Sequence, residues 1–504
     1  MSKRVIIIII VVVLVGIGVM MSFKFDFGMD LKEENDEPYI SGEICLVSDD
    51  NVLLAEEIDA EECTGDLNEL KGSAGYFRVD EETKIIGKEG KEIPFDELMP
   101  GNQAKIWTVG PIMESYPVQA SASKIELLEE GEELEAEGSK EEKDDKEKER
   151  NNEWSYNEEL GGDLKEVKGQ ITECLYSVKG VPSPKGVSFS PDEEEFWVTS
   201  LMNESEGVVV FERKTGKKKE GMTLPGGGGV EIIFDQSGSY AFVSQMETGR
   251  VFMIDADKKK IVETFDTEGS WTKVMDLSPD EETIYASNWS SHNVSAIDLG
   301  SGKVTDLLSA VNTPRGIYAT EDGSELYVAG FEKGEIQRIN LHTKESEVIY
   351  ESGGSMRHIV GDEKNETLYF SDMGNAAIYE FDKEDEEVRK FADTERNPNT
   401  IALSPDNKVL AVSNRGANHP SGNYNIPGPE WGSVLFFDTS TGEAVDAILG
   451  GNQPTALDIS ESGKYLAFSN FLDGEINICK FPETKDMLEG EGGGFPGYKE
   501  KIAK

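Results

Sequence analysis

The stretch Ile401–Asn414, IALSPDNKVLAVSN, decides the fold, because six other segments of the chain repeat it in outline. They are VSFSPDEEEFWVTS (187–200), IIFDQSGSYAFVSQ (232–245), MDLSPDEETIYASN (275–288), IYATEDGSELYVAG (317–330), IVGDEKNETLYFSD (359–372) and LDISESGKYLAFSN (457–470). Equivalent positions fall at Ser190, Asp235, Ser278, Thr320, Asp362, Ser404 and Ser460, in steps of 45, 43, 42, 42, 42 and 56. A fixed period of this size marks a repeat architecture. Within each copy an apolar stretch ends in a Pro-Asp or Asp-Gly turn of the kind that joins antiparallel strands. An alternating strand such as TIYASN follows, then a third strand ending in Asp, as in VSAIDLGSGK, and a fourth such as IVETF. The two-residue alternation and the Gly content exclude helical repeats. Four antiparallel strands per repeat, seven times over, predict a seven-bladed β-propeller across residues 161–482.

A propeller has to close, because an open sheet edge leaves backbone groups unpaired. The seventh copy stops after its third strand, EINICKF (475–481), so the missing strand is expected from QITECLYSVKG (170–180), ahead of the first copy. That brings Cys174 beside Cys479. A disulfide clasp follows if both point to one face; otherwise both are buried and unbonded. For Cys45 and Cys63 the same question stays open. The four cysteines form no CxxC pair and have no histidine neighbour, so no metal site is expected.

Outward from the propeller, residues 39–128 read as a small β-rich, OB-like domain of short strands such as ISGEICLV and QAKIWTVG. Residues 129–160 are almost wholly polar and acidic, too poor in apolar surface to order, and read as a disordered linker. Residues 24–38 read as an acidic tether and 483–504 as a flexible tail. At the N-terminus Lys3 and Arg4 precede an apolar run, Val5 to Met21. A bilayer-crossing helix needs about 20 apolar residues, with a range down to ~17, so this run suffices, and the flanking positive charge predicts a cytoplasmic N-terminus. The alternative, a cleaved signal peptide, lacks a small-x-small site. Residues 1–23 are therefore expected to be a signal anchor contacting the bilayer through residues 5–21. That makes a single-pass cell-membrane protein with its C-terminal domains outside the cytoplasm.

The chain carries 99 acidic against 49 basic residues, a formal charge of −50. Such a surface repels phosphate backbones, so nucleic acid is not an expected partner. A carboxylate coat of this density also suits a salt-rich milieu.

The phrases IYASNWSSHNVSAIDLGSGKV, LYVAGFEKGEIQRIN and VLAVSNRG…GSVLFFDTSTGEA resemble the YVTN family of bacterial β-propeller proteins, a WD40-like repeat class. The resemblance implies the propeller fold but no single activity, since similar propellers include binding proteins and lactonase-like enzymes. Residues 96–127, DELMPGNQAKIWTVGPIMESYPVQASASKIEL, resemble the DUF3221 type of small secreted domain, which brings no known chemistry.

Chemistry is expected where the inter-blade connections GSWTK, NTPRG, GSMRH, RNPNT and NQPTA gather around the central channel. The sixth blade's long loop, Ser413–Val434 (SNRGANHPSGNYNIPGPEWGSV), overhangs the same face, either as a recognition edge or as a tolerated insertion. Candidate ligand contacts are Trp271, Lys273, Arg315, Arg357, His358, Asn399, Arg415, His419, Tyr424 and Trp431. For several of these a plainer role competes: Trp271 as a plug of the rim, the arginines as partners of surrounding carboxylates. Asn288, Asn414 and Asn470 end equivalent strands and read as turn caps. The histidines lack paired spacing, no nucleophile elbow occurs, LPGGGGVE precedes no helix, and acidic turns such as DADKKK lack calcium-loop spacing. No catalytic residue and no cofactor is expected. The function expected is a ligand- or protein-binding or scaffold module of the bacterial envelope, its partner an unknown protein or small molecule at the propeller face. The alternative is a lactonase-like hydrolase using the same loops.

Overall fold

The computed structural model describes residues 40–48, 51–55, 74–79, 83–88, 90–113, 118–128, 167–201, 203–419, 425–490, 495 and 498–504. The tether and the acidic linker lie outside these residues. The expected transmembrane helix, and with it the single-pass membrane location, is corrected. Among the described residues no helix is long and apolar enough to cross a membrane, and residues 1–39 lie outside them. The expectation stood on an apolar run near the lower limit of ~17 residues that spans a bilayer, on the flanking Lys3 and Arg4 and on the missing cleavage site. The fold class is all-β, in one small sheet and seven four-stranded antiparallel sheets.

The small sheet comprises strands Ile40–Ser48, Asn51–Ala55, Ala74–Arg78, Lys84–Ile86, Gln103–Met113 and Val118–Leu127. Parallel pairing of Ala74–Arg78 with Val118–Leu127 closes five of the six into a barrel, with Lys84–Ile86 appended. Ile44, Val52, Leu54, Phe77, Ile106 and Ile125 fill the interior. Along a strand the inward positions are two residues apart, as Val52 and Leu54 are, which is the alternation a barrel wall requires.

The seven larger sheets follow one another around a ring. The first strand of each touches the first strand of the next, and Pro454–Ile459 of the seventh touches Pro184–Phe189 of the first. That closed order is a seven-bladed propeller with first strands innermost. Second strands such as Glu195–Ser200 and Val409–Asn414 are buried along their whole length. Fourth strands such as Lys303–Ser309 alternate between exposed and half-buried, as the outer rim must.

Neighbouring blades are matched at their first hairpins. The residue three places after each repeat landmark is left-handed in six blades: Glu193, Gly238, Glu281, Gly323, Asn407 and Gly463. Where the preceding blade's turn carries proline, this residue is glycine: Gly238 faces Pro191, Gly323 faces Pro279 and Gly463 faces Pro405. Proline has no N–H to give, and any side chain would crowd it. Where the preceding turn has an N–H, an acceptor reaches it. Glu281 accepts from Gln236 N at 2.6 Å, Glu193 from Ser462 N at 2.6 Å, and Glu363 from Glu321 N at 3.3 Å.

Strand Glu173–Lys179 completes the seventh blade by pairing with Glu475–Lys480. The two strands are also joined covalently by a disulfide between Cys174 and Cys479. Cys45 is disulfide-bonded as well, while Cys63 lies outside the described residues. Asp446 of blade six anchors the approach to the closing strand, accepting from the N–H groups of Ile171 and Thr172 at 3.0 and 2.8 Å.

Residues 483–504, expected as a flexible tail, carry two short helices, Thr484–Glu489 and Tyr498–Ile502. Met487 packs with Phe436 and Phe481, while Phe495, Tyr498 and Ile502 pack with Leu435 and Phe437. The composition is polar, but these few large side chains have apolar seats on blade six.

The disulfide spans 305 residues, and cross-linking so long a loop restricts the unfolded chain strongly. Serine at both Cys174 and Cys479 is expected to lower the unfolding free energy by about 3–5 kcal/mol, read as a drop in the urea midpoint. A change below about 1 kcal/mol would mean that strand pairing alone holds the ring.

Candidate functional site

Each inner strand begins just after an inter-blade connection, and its opening residues ring one end of the channel. At one level stand Lys185, Val230, Lys273, Arg315, Arg357, Asn399 and Thr455, each five residues before its repeat landmark. The level is set by hydroxyl groups on the second strands. Thr199, Ser244, Ser287, Ser371 and Ser413 donate to the carbonyls of Val230, Lys273, Arg315, Asn399 and Thr455 in the next blade, at 2.6–3.1 Å. The same oxygens accept from the N–H of Gly186, Glu231, Val274, His358 and Thr400 in their own blade, at 2.7–3.1 Å. A hydroxyl does both at once, so five of the blades hold their neighbours in register at this level.

The four cations of this level converge. Lys273 and Arg315 are buried, Arg357 is 2 % exposed, and Lys185 is partly buried. Burial pushes Lys185 well below its usual range, and repulsion from Arg357 and Arg315 adds to it. Lys273 is lowered for the same first reason and then by Arg315 and Lys185. Arg315 is lowered by burial and by Arg357, and burial takes Arg357 down to about 9. Guanidinium groups keep their protons in proteins. The downward direction therefore measures the cost of holding these charges together away from water. Two carboxylates face them: Glu231, half-buried and raised by burial to about 7 while also feeling Arg315, and Glu247, whose side chain is exposed to solvent and which feels Lys273. Asn399 accepts from Arg357 Nε at 2.6 Å. Its own Nδ2, and Arg315 Nη1, are buried with no hydrogen-bond partner among the described residues.

Above this level lies an apolar collar. The first residue after each second strand is Leu201, Met246, Trp289, Phe331, Met373, Arg415 or Phe471, blade by blade. All are buried, and six of the seven are apolar. Trp289, Phe331 and Met373 form one cluster, Leu201, Met246 and Phe471 another, and Trp271 packs against both. Lys273 Nζ lies 5.2 Å from the Trp271 ring and 5.4 Å from that of Trp289, and Lys185 Nζ lies 5.2 Å from Phe471. Aromatic faces stabilise such cations by roughly 0.5–2 kcal/mol each, too little to offset burial. Arg415, the polar member, donates to Gln453.

A family model described as a protein of unknown function (DUF3221) matches residues 41–129. Antigen Lp49 of Leptospira interrogans serogroup Icterohaemorrhagiae serovar copenhageni (strain Fiocruz L1-130) is 34% identical over 315 residues, covering 59% of this chain and 67% of the antigen. The chain belongs to the family of that antigen. Among solved structures, a chain of Kuenenia stuttgartiensis hydrazine synthase aligns with a TM-score of 0.50 at 17% identity. The alignment covers 60% of this chain and 97% of that one. At that identity the likeness concerns the fold alone.

Of the residues singled out from the sequence, the structure brings Lys273, Arg315, Arg357 and Asn399 to one level, with His358 one residue further along its strand. Burial, then Arg315 and Arg357, press the His358 imidazole down to about 3. Its Nδ1 has no hydrogen-bond partner among the described residues. Arg415 and Trp271 belong to the collar. Trp431 stands apart: Lys504 Nζ lies 4.4 Å from its ring, and the Trp431 N–H donates to Ile502 O at 2.7 Å. The sixth-blade loop is thus tied to the chain's C-terminus, with Lys504 N–H donating to Pro429 O at 3.0 Å. His419 is half-buried in that loop, and Tyr424 lies outside the described residues. Sequence reasoning missed Lys185 and Glu231. Lys185 was within reach, since it precedes Ser190 by the same five residues that separate Lys273 from Ser278. Among the described residues no cluster of His, Cys, Asp or Glu is arranged to hold a metal ion.

Lower on the inner strands, Asp276 accepts from Ala319 N, and Asp458 from Phe189 N, both at 2.7 Å across a blade boundary. Burial outweighs these donors and raises both carboxyls to about 7. With Glu231 they make three acids whose pKa is higher folded than unfolded. Their stabilisation is full below about pH 4 and is lost as pH rises through about 7. His358, lowered on folding, works the other way between about pH 6.5 and 3, and the lowered lysines Lys185 and Lys273 also work the other way as pH rises. Each acid is therefore read by its own removal: between pH 5 and 8 the thermal midpoint is expected to fall less, or rise more, in Asp276→Asn and in Asp458→Asn than in the wild type. An unchanged slope in both variants would refute the assignment.

Proposed function

We propose that this chain is a binding module whose ligand sits at the channel mouth, among the inner-strand cations and under the apolar collar. The observation that carries this reading is the group of four cations held at one level, three of them buried and Lys185 partly so. A fold gains nothing from self-repelling buried charges, and apolar replacements of buried ionic groups are often stabilising. Groups kept at a cost to the fold belong to function. The resemblance of the repeats to YVTN-type propellers, among which binding proteins occur, agrees with it. So does the position of the site, in a concave channel mouth ringed by connections from every blade. The geometry disfavours hydrolysis. The one histidine of the site is too weak a base to carry a proton near neutrality.

The reading is tested on the full chain. Lys273→Met and Arg315→Met are each expected to raise the unfolding free energy of the free protein by ~1–3 kcal/mol. A thermal-shift screen of small molecules should yield compounds that raise the wild-type midpoint and lose that effect in Arg315→Met. Lower stability of both methionine variants would return the cations to a structural role. Turnover of lactones or esters that His358→Ala removes would replace binding by catalysis.

A further inference from the structure

We propose that the ligand of the channel mouth is a compact oxyanion of two or more negative charges, a phosphate group or a polycarboxylate. Lys185, Lys273, Arg315, Arg357 and Asn399 would hold it. This inference rests on reading the mouth as a binding site and adds the chemistry of what binds there.

The argument begins from charge. Four cations stand at one level on blades one, three, four and five, where Lys185 feels Arg357 and Arg315, Lys273 feels Arg315, Lys185 and Arg357, and Arg315 feels Arg357. Among the described residues the carboxylates these cations feel most are Glu231 and Glu247, fewer than the cations themselves. A monoanion would still leave positive charge in excess. An anion of two or three charges balances the group.

Hydrogen-bond geometry points the same way. Asn399 Nδ2 and Arg315 Nη1 are donors on side chains more than nine-tenths buried, with no acceptor among the described residues. A buried donor without an acceptor is costly, and oxyanions supply acceptors. Two guanidinium groups offer planar forks suited to carboxylate and phosphate oxygens, while the lysines add point charges. A cationic ligand is opposed by the charge, and a neutral one would leave the repulsion in place.

The collar defines the size. Trp289, Phe331, Met373 and Phe471 close over the cations, so a bulky polyanion such as a nucleic acid has no entry. Water exclusion beneath the collar strengthens each charge interaction relative to solvent. An ion has to pass between side chains carried on turn tips, so association is expected to be slow. Phe331→Ala should speed both entry and exit.

Calorimetric titration of the full chain tests the proposal with inorganic phosphate, phenyl phosphate and citrate. Acetate, glucose and choline serve as monoanionic, neutral and cationic controls. At least one polyvalent anion is expected to bind at least tenfold more tightly than acetate. Lys273→Gln and Arg315→Gln should each weaken it tenfold or more, and Asn399→Ala, which leaves the charge unchanged, by a smaller factor. Lys258→Gln, which removes an exposed cation, should change nothing. Preference for the phosphates or for citrate would settle which source supplies the oxyanion. Polyvalent anions that fail to bind, or that bind the glutamine variants equally well, overturn the inference. If a neutral or cationic compound shifts the wild type but not Arg315→Met, the site stands and only its anion chemistry falls. If no compound acts through Arg315, the binding reading falls too.

Discussion

Everything described for the channel depends on one pairing: strand Glu173–Lys179 lying against Glu475–Lys480. Seven sheets in a ring need a seventh contact to bring the first inner strand against the last. Lys185, in blade one, reaches Arg315 and Arg357 only if that contact is made. The seam is fastened in several ways at different radii. Near the axis Asp458 holds Phe189 N, at the hairpin face Glu193 holds Ser462, and on the outer strands Cys174 is bonded to Cys479. The disulfide lies inside blade seven, between its third strand and the strand that completes it, and those two strands are 305 residues apart in sequence. The short connection after Lys179 runs straight into blade one, so this strand pair is where the ring closes and where a cross-link has most effect.

Ring closure also explains how a surface so acidic tolerates a cationic centre. The inner strands lie at nearly constant distance from one axis, so residues at one register converge whatever their charge. On most proteins, lysines and arginines 42 residues apart would spread over a surface. Here the period places Lys273, Arg315 and Arg357 at matching points of consecutive inner strands, and the second-strand hydroxyls keep those strands level. Blade four lacks that hydroxyl, with Ala329 in its place. There Gly316 lets the Arg357 carbonyl come close enough that an added Cβ would stand 2.8 Å from it.

Much of this was legible in the sequence because repeats convert spacing into geometry. Seven landmarks predict seven blades, an incomplete last copy predicts the shared sheet, and the inter-blade phrases hold four of the site's five residues, all but Lys185. Lys185 escaped notice because the connection before the first copy has no preceding blade to announce it. Glu231 escaped because blade two departs from the repeat there: its inner strand opens with valine, and the charge follows one residue later. The C-terminus was misread for a different reason. Average composition is a poor guide when a few large side chains decide burial, as Met487, Phe495, Tyr498 and Ile502 do. The sixth-blade loop looked like a recognition edge because of its Pro, Asn and aromatic content, but the partners of that loop include the chain's own last residues. The apolar N-terminal run shows the limit of hydropathy without further structure.

The charge of the whole chain sharpens the meaning of the site. With acidic residues outnumbering basic ones about two to one, a randomly placed cation finds a carboxylate partner without difficulty. Arg338 does so, with Glu325, Glu347 and Glu386 around it. Lys219 and Lys259 both reach Glu195. Against that background, four cations gathered at one level, with Glu231 and Glu247 the carboxylates they feel most among the described residues, is not what the composition would produce by default. The channel level could have been filled as blades two, six and seven fill it, with Val230, Asn399 and Thr455. Four blades instead carry long basic side chains there beside the apolar collar, three of them buried and so largely withdrawn from water. The same exclusion that makes these charges expensive to hold makes them effective once an opposite charge arrives, because both effects follow from the low local dielectric.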